Sequence, residues 1–193
     1  MTQSCAKAAA ALREQILTAA EACFRERGFK ASTMQAIARH AGKSVGNLYN
    51  YFDGKDAIID EIARREVDRI AEEVDAVVNG RMAIEEQREQ LFRTLCQQLI
   101  IERARVKIEL YEEAVQNERL RQILQRSNEQ IRELIKKMHR SRSAGHLTEE
   151  EVELRGSMDM ALCDGLCLRL IAEPQLELER ERLARAFAEQ IVR

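Results

Sequence analysis

The sequence predicts an all-α protein, with a small three-helix domain over residues 1–54 joined through a long helix to a larger helical domain over residues 55–193. Three observations predict it. One Pro and eight Gly stand among 193 residues, and Ala, Glu, Arg, Leu and Ile are abundant, a composition of helix formers with few breakers. Apolar residues recur at three- and four-residue steps along most of the chain, the spacing of a helix face. At 45% hydrophobic, the chain can bury one substantial core, or a small and a larger one.

Residues 1–11 are small and polar and are expected to fray. From Leu12 to Arg27 the set Leu12, Ile16, Ala19, Ala20, Cys23 and Phe24 marks an amphipathic helix. Gly28 ends it, and Phe29 is placed to fold back on its last turn. Ser32 and Gln35 can form a capping box for the next helix, and Thr33 serves equally well as its cap. That helix carries Ile37 and Ala38 and ends at Ala41, where Gly42 can take positive φ and reverse the chain. Ser44 then caps a shorter helix that runs through Leu48, Tyr49, Tyr51 and Phe52 to a break at Asp53–Gly54. Leu48 and Phe52, four apart, face inward and leave Val45, Gly46, Asn47, Tyr49 and Asn50 outside. Two short helices about a glycine turn, the second presenting small, amide and tyrosyl groups, is the form in which a helix-turn-helix enters a major groove.

A head this small is marginal alone and should lean on the helices beyond residue 54. Ile59, Ala63, Val67, Ile70, Val74 and Val77 form one apolar stripe, which predicts a long helix from Lys55 to Asn79 closed by Gly80. Further helices are expected from Glu85 to Ile101 with Leu91, Phe92, Leu95 and Leu99 inward, then, after a break near Arg103–Arg105, around Val106, Leu110 and Tyr111. Asn117 caps another, which holds helical spacing to His139. The polar run at residues 139–145 reads as a mobile loop. Thr148 heads a helix with three glutamates in its first turn, where the dipole favours them. From Met158 to Ala172 nearly every position is apolar or small, so burial on several sides, by a partner subunit as well as the local core, is expected. Glu173–Pro174 stops that helix, and Leu176 to Val192 forms the last.

The stretch SVGNLYNYFDGKDAI closely resembles the recognition helix and following turn of the TetR family of transcriptional repressors. The likeness extends upstream through Gly28-Phe29, Thr33 and Ile37-Ala38 to Ala41-Gly42, about the first third of the chain. The chain departs from the family pattern at Lys43, where a small aliphatic residue is usual, and at Val45, where a basic one is common. The resemblance implies an N-terminal helix-turn-helix domain and a larger ligand-binding and dimerisation domain. It also implies that Thr33, Gln35, Ser44, Val45, Gly46, Asn47, Tyr49, Tyr51 and Lys55 meet bases or phosphates. Chemistry supports several of these. Gln35 and Asn47 carry amides suited to adenine edges, and Val45 can meet a thymine methyl. Gly46 costs about 1 kcal/mol of helix propensity, which makes sense where backbone approaches DNA. Lys55 adds charge where free N–H groups favour a phosphate. DGLCLRLIAEPQLELERERLARAF resembles the family's final helix pair, which builds a four-helix bundle between two copies; Leu162, Gly165, Leu166, Arg169, Leu183 and Phe187 would lie there.

The expected partners are therefore double-stranded DNA bearing a palindromic operator, a second copy of the chain, and a small-molecule inducer whose binding releases the DNA. The inducer cavity would be lined from Ile70, Val74, Phe92, Cys96, Leu99, Tyr111, Met160 and Cys163, and with 4% aromatic residues and no Trp an apolar or flexible ligand is preferred over a flat cation. The alternative is a larger domain that binds a protein partner. Residues 1–56 carry eight cations and five anions, a net +3, leaving −5 of the overall −2 to the rest, which suits contact with phosphates at one end. No Ser-His-Asp order, HExxH, GxGxxG or P-loop appears, so no enzyme, catalytic residue or cofactor is expected. His40, His139 and His146 sit in polar surroundings and read as exposed. Cys5, Cys23, Cys96, Cys163 and Cys167 fit reduced thiols, and Cys163 with Cys167 falls short of a metal site, although a thiol sensor is a narrower variant. Without a leader or a long apolar run, the chain is expected to be cytoplasmic and to have no membrane contact.

Overall fold

The structure, a computed structural model, describes residues 2–79, 83–143 and 145–191. Among residues with an expected role, Gly80 and Val192, and the side chains of Cys5, Val77, Leu91, Leu95 and Phe187, lie outside the described ones. The described elements are α1 (Thr2–Arg27), α2 (Met34–His40), α3 (Val45–Tyr49), α4 (Lys55–Val78), α5 (Ile84–Gln98), α6 (Ile101–Ala114), α7 (Glu118–Ser143), α8 (Glu149–Ala172), a 3₁₀ turn (Pro174–Glu179) and α9 (Arg180–Ile191). The chain divides into two compact units, Met1–Arg64 with Val106–Leu124, and Arg65–Arg105 with Gln125–Arg193.

In the first unit α1 begins at Thr2 rather than near Leu12. Ala6 and Ala8 to Ala11 are the strongest helix formers available, so the expected frayed start is helical. Gly28 ends α1 at φ +82° with its N–H on the Phe24 carbonyl, 2.8 Å, and the Phe29 ring folds back to 5.4 Å from Phe24. Thr33 caps α2, accepting the Ala36 N–H at 3.1 Å, while buried Ser32 donates its hydroxyl to the Gly28 carbonyl. The core is built from Ile16, Leu17, Ala20, Phe24, Phe29, Ile37, Leu48, Phe52, Ile58 and Ile59, joined by Ala114, Leu120 and Ile123 of α6 and α7. The three short helices thus lean on α6 and α7 as well as on the start of α4. Asn117 caps α7 as expected, accepting the Leu120 N–H, and its amide donates to Asp56.

In the second unit the break between α5 and α6 falls at Leu99–Ile100, not at Arg103–Arg105; arginine is a good helix former and gives no reason to stop. Leu99, Ala104, Cys167, Leu170, Ala184 and Ala188 form a core with Phe92, Cys96, Ile101, Cys163, Leu166, Leu176 and Leu183 packed on it. Glu73 of α4 accepts from Gln90 and Thr94 of α5 at 2.9 and 3.3 Å and pairs with Arg69. The expected loop at residues 139–145 is helical through Ser143, while Ala144 lies outside the described residues. His139 is consequently buried rather than exposed, with its ring nitrogen 2.8 Å from Asp159 of α8. Thr148 and Glu151 close a capping box at the start of α8. After Pro174 the chain makes a 3₁₀ turn, so α9 starts at Arg180, later than expected. Among the described residues no helix is long and apolar enough to cross a membrane.

The burial expected around Met158–Ala172 is partial. Cys167 and Leu170 face the core, but Met158, Leu162, Leu168 and Ile171 are exposed, as is Leu154 one turn before the stretch. Gly156 is buried, and a Cβ there would come within 2.8 Å of Lys136 Cγ on α7. Gly156→Ala gains about 1 kcal/mol of helix propensity but overpacks a contact at a cost of about 1–3 kcal/mol. We expect a lower melting temperature by circular dichroism; a rise would show that α7 yields freely.

Candidate nucleic-acid interface

The short α3 is held from both ends by α1. Gln15 Nε2 donates to the Ala41 carbonyl at 2.9 Å, just before the Gly42 turn at φ +64°. Arg13 Nη1 donates to the Tyr51 carbonyl at 3.1 Å, Nη2 reaches Glu61 Oε2 at 3.2 Å, and the guanidinium lies 4.4 Å from the Phe52 ring centre. Burial pushes the Glu61 carboxyl up, but hydrogen bonds from Arg64 and Arg13 outweigh it and hold it below the usual carboxylate range. Ser44 Oγ accepts the Asn47 N–H at 3.2 Å and caps α3. As caps, Thr33 and Ser44 use an oxygen lone pair and keep their O–H for a further acceptor.

Around this frame Thr33, Gln35, Ser44 and Gly46 are exposed, and Tyr49 is 52% exposed beside fully buried Leu48. A Cβ at Gly46 would meet nothing within 4 Å. Val45 and Tyr51 are half-buried against the core, because both lie three residues from Leu48 and share its face. Asn47 is half-buried, and among the described residues its enclosed Oδ1 has no hydrogen-bond partner. Lys55 has a partner within the first unit. Its ammonium donates to the Phe29 carbonyl at 2.8 Å and sits 3.9 Å from that ring's centre, and burial lowers its pKa. Exposed Arg39 and Lys43, which flank the turn, were not among the expected contacts, nor were the buttresses Arg13 and Gln15. Position beside the turn was the available signal for the first two; nothing periodic marks the others.

The remaining expected sites are more dispersed. Phe92, Cys96, Leu99 and Cys163 meet in the second unit's core. Ile70 and Met160 are half-buried and Val74 is buried, while Tyr111 belongs to the first unit. Arg185 lies over Phe92 at 4.5 Å, beside a depression of about 310 Å³ lined by Glu85, Arg88, Glu89, Phe92, Arg185, Ala188 and Glu189. That lining is more polar than the apolar cavity expected. Leu162, Gly165 and Arg169 are exposed, with Arg169 paired to Glu173 at 2.9 Å, whereas Leu166 and Leu183 pack on the core. Among the described residues Cys23, Cys96, Cys163 and Cys167 stand outside any disulfide. Among the described residues no group of His, Cys, Asp or Glu could hold a metal.

Residues 16–62 match the profile described as Bacterial regulatory proteins, tetR family, and residues 85–193 match BetI-type transcriptional repressor, C-terminal. The chain belongs to the TetR family. Among TetR relatives, it is 27% identical over 173 residues to the HTH-type transcriptional regulator UidR of Escherichia coli strain K12, covering 90% of this chain and 84% of UidR. It is 44% identical over 52 residues to the HTH-type transcriptional repressor KstR2 of Rhodococcus jostii, a match that spans 27% of this chain and 26% of KstR2. Its fold is similar to that of the fatty acid degradation regulator FadR from Bacillus halodurans, with TM-score 0.74, 19% identity and 94% of each chain covered. It is likewise similar to SmeT in the SmeT–triclosan complex, with TM-score 0.71, 22% identity and coverage of 92% of this chain and 90% of SmeT. As a TetR member the chain is a DNA-binding transcriptional regulator and not an enzyme.

Proposed function

We propose that the chain acts as a cytoplasmic homodimeric repressor that sets two copies of α3 into successive major grooves of a palindromic operator and is released by a small molecule. In this reading residues 1–54 read DNA, and residues 55–193 pair the copies and hold the ligand. The observation that carries it is Gly46. Among the described residues nothing crowds a Cβ there, so the helix bears a glycine for which a surface approaching from outside gives a reason. Tyr49 stands beside it, exposed, and Asn47 Oδ1 has no partner among the described residues to surrender when the amide turns to a base edge. Thr33, Gln35, Ser44 and Lys43 complete the facing surface, with hydroxyls and charge suited to phosphates. Lys55 supports this surface from within.

The exposed apolar residues of α8 support pairing, since one short helix reads few base pairs and two gain when half-sites lie about 34–36 Å apart. Ligand binding rests on the likeness to SmeT, whose structure holds triclosan, and on Phe92, Cys96, Leu99 and Cys163 meeting in one cluster. A ligand acts only through its difference in affinity between DNA-competent and released conformations, and a pivot of α4 is the change we expect it to select. Tyr49→Ala is expected to weaken a duplex selected by the wild-type chain about tenfold with an unchanged melting temperature. Equal affinity by fluorescence anisotropy would remove α3 from the role of reader.

A further inference from the structure

We propose that Glu109 of α6 is a positioning residue for DNA binding, acting on the turn Gly28–Lys30 that joins α1 to α2. Its Oε2 accepts the Lys30 N–H at 3.1 Å, a contact between residues 79 apart in sequence. A Cβ at Gly28 would run into the Glu109 carboxylate, so the absent side chain of the glycine is the space the carboxylate occupies. The Lys30 ammonium lies 2.7 Å from Glu112 Oε1, one helical turn further along α6. From α4, Lys55 holds the carbonyl of Phe29 between them. Two consecutive residues are thus held by polar groups of two other helices, and Gly28 before them leaves room for one of those groups.

Several other polar groups of this turn find partners close by. Gly28 N–H bonds to Phe24, Ser32 N–H to Phe29, and Ser32 Oγ to Gly28. The Lys30 N–H is satisfied from α6 instead. Adhesion of α6 does not need a carboxylate, because Val106, Leu110 and Ala114 already pack on the same core. Apolar contact is non-directional and tolerates sliding, whereas a carboxylate on a backbone N–H fixes distance and angle. The turn sets where α2 starts, since Thr33 caps that helix three residues on, and α3 comes next through Gly42. Glu109 therefore sets the angle at which the reader is presented without facing DNA itself.

This inference rests on α3 being the groove-entering helix, so its test carries Tyr49→Ala in parallel. The full-length wild-type chain selects a duplex from a randomised pool, and variants are titrated against that duplex and a scrambled one across a salt series. Glu109→Ala is expected to lose about tenfold on the selected duplex, with little change on the scrambled one. The slope of log affinity against log salt should stay that of the wild type, since no phosphate contact is removed. Glu109→Gln, whose amide oxygen still accepts the Lys30 N–H, should restore most of the affinity. Glu109→Asp, one methylene short, keeps the charge and should lose affinity as alanine does, which covers the case in which the alanine variant fails to fold. Wild-type affinity in the Ala and Asp variants, or an equal loss on both duplexes, overturns the proposal while Tyr49→Ala still weakens binding. A Tyr49→Ala chain that binds like the wild type overturns the reading of α3 and this inference with it.

Discussion

Leu162→Glu is expected to leave the protein monomeric at micromolar concentration and to lower its affinity for the selected duplex by about a hundredfold or more. Leu154, Met158 and Leu162 succeed one another at four-residue steps on α8, and Gly165 and Leu168 continue the row, all exposed in the single chain. A two-fold interface uses the same patch of each copy, so a single substitution alters both sides of it. A glutamate at Leu162 would bury a carboxylate on each side without a cation, at several kcal/mol apiece. Each 1.4 kcal/mol is about tenfold in the association constant, so the pair should separate. DNA affinity falls with it because the second half-site ceases to be an intramolecular contact. Sedimentation velocity reads the mass and anisotropy the binding. A Leu162→Glu chain that still sediments as a dimer would place the interface elsewhere.

Leu48→Ala is expected to lose about 3 kcal/mol of stability, the largest effect of any truncation within α3. Leu48 is fully buried at the centre of the first unit, among Ile37, Phe52 and Ile58. Truncation leaves a cavity beneath a five-residue helix that cannot persist without its anchor. Single domains are stable by only about 5–15 kcal/mol, so the variant should melt well below the wild type and bind DNA weakly in proportion. This contrasts with its neighbour Tyr49, whose loss should weaken binding without melting the protein. Chemical denaturation monitored by circular dichroism separates the two, and equal melting of both variants would contradict the division between anchor and reader.

The elements legible in the sequence are those with local causes. Gly28 stops α1, Gly42 turns the chain, Ser44, Asn117 and Thr148 cap helices, and the 3–4 spacing of Ile59 to Val74 makes α4 continuous. The break at Leu99–Ile100 has no breaker residue, so neither composition nor periodicity marks it. His139 looked exposed because its neighbours in sequence are polar; its surroundings are decided by Asp159, twenty residues away. Lys55 shows the same effect, since its internal partner, the Phe29 carbonyl, lies 26 residues earlier. At the candidate interface the exposed side chains reflect alternation around Leu48, but Arg13 and Gln15 carry no pattern. A side chain reaching a backbone carbonyl 38 or 26 positions on leaves no trace in spacing.

Because α1 fastens α3 by the carbonyl before it and the carbonyl after it, a tilt of α1 carries the reading helix as a rigid body and does not unwind it. The shape of the short helix is thus secured by two side chains of a single neighbour, and its presentation is a separate matter, decided by whatever sets the direction of α1.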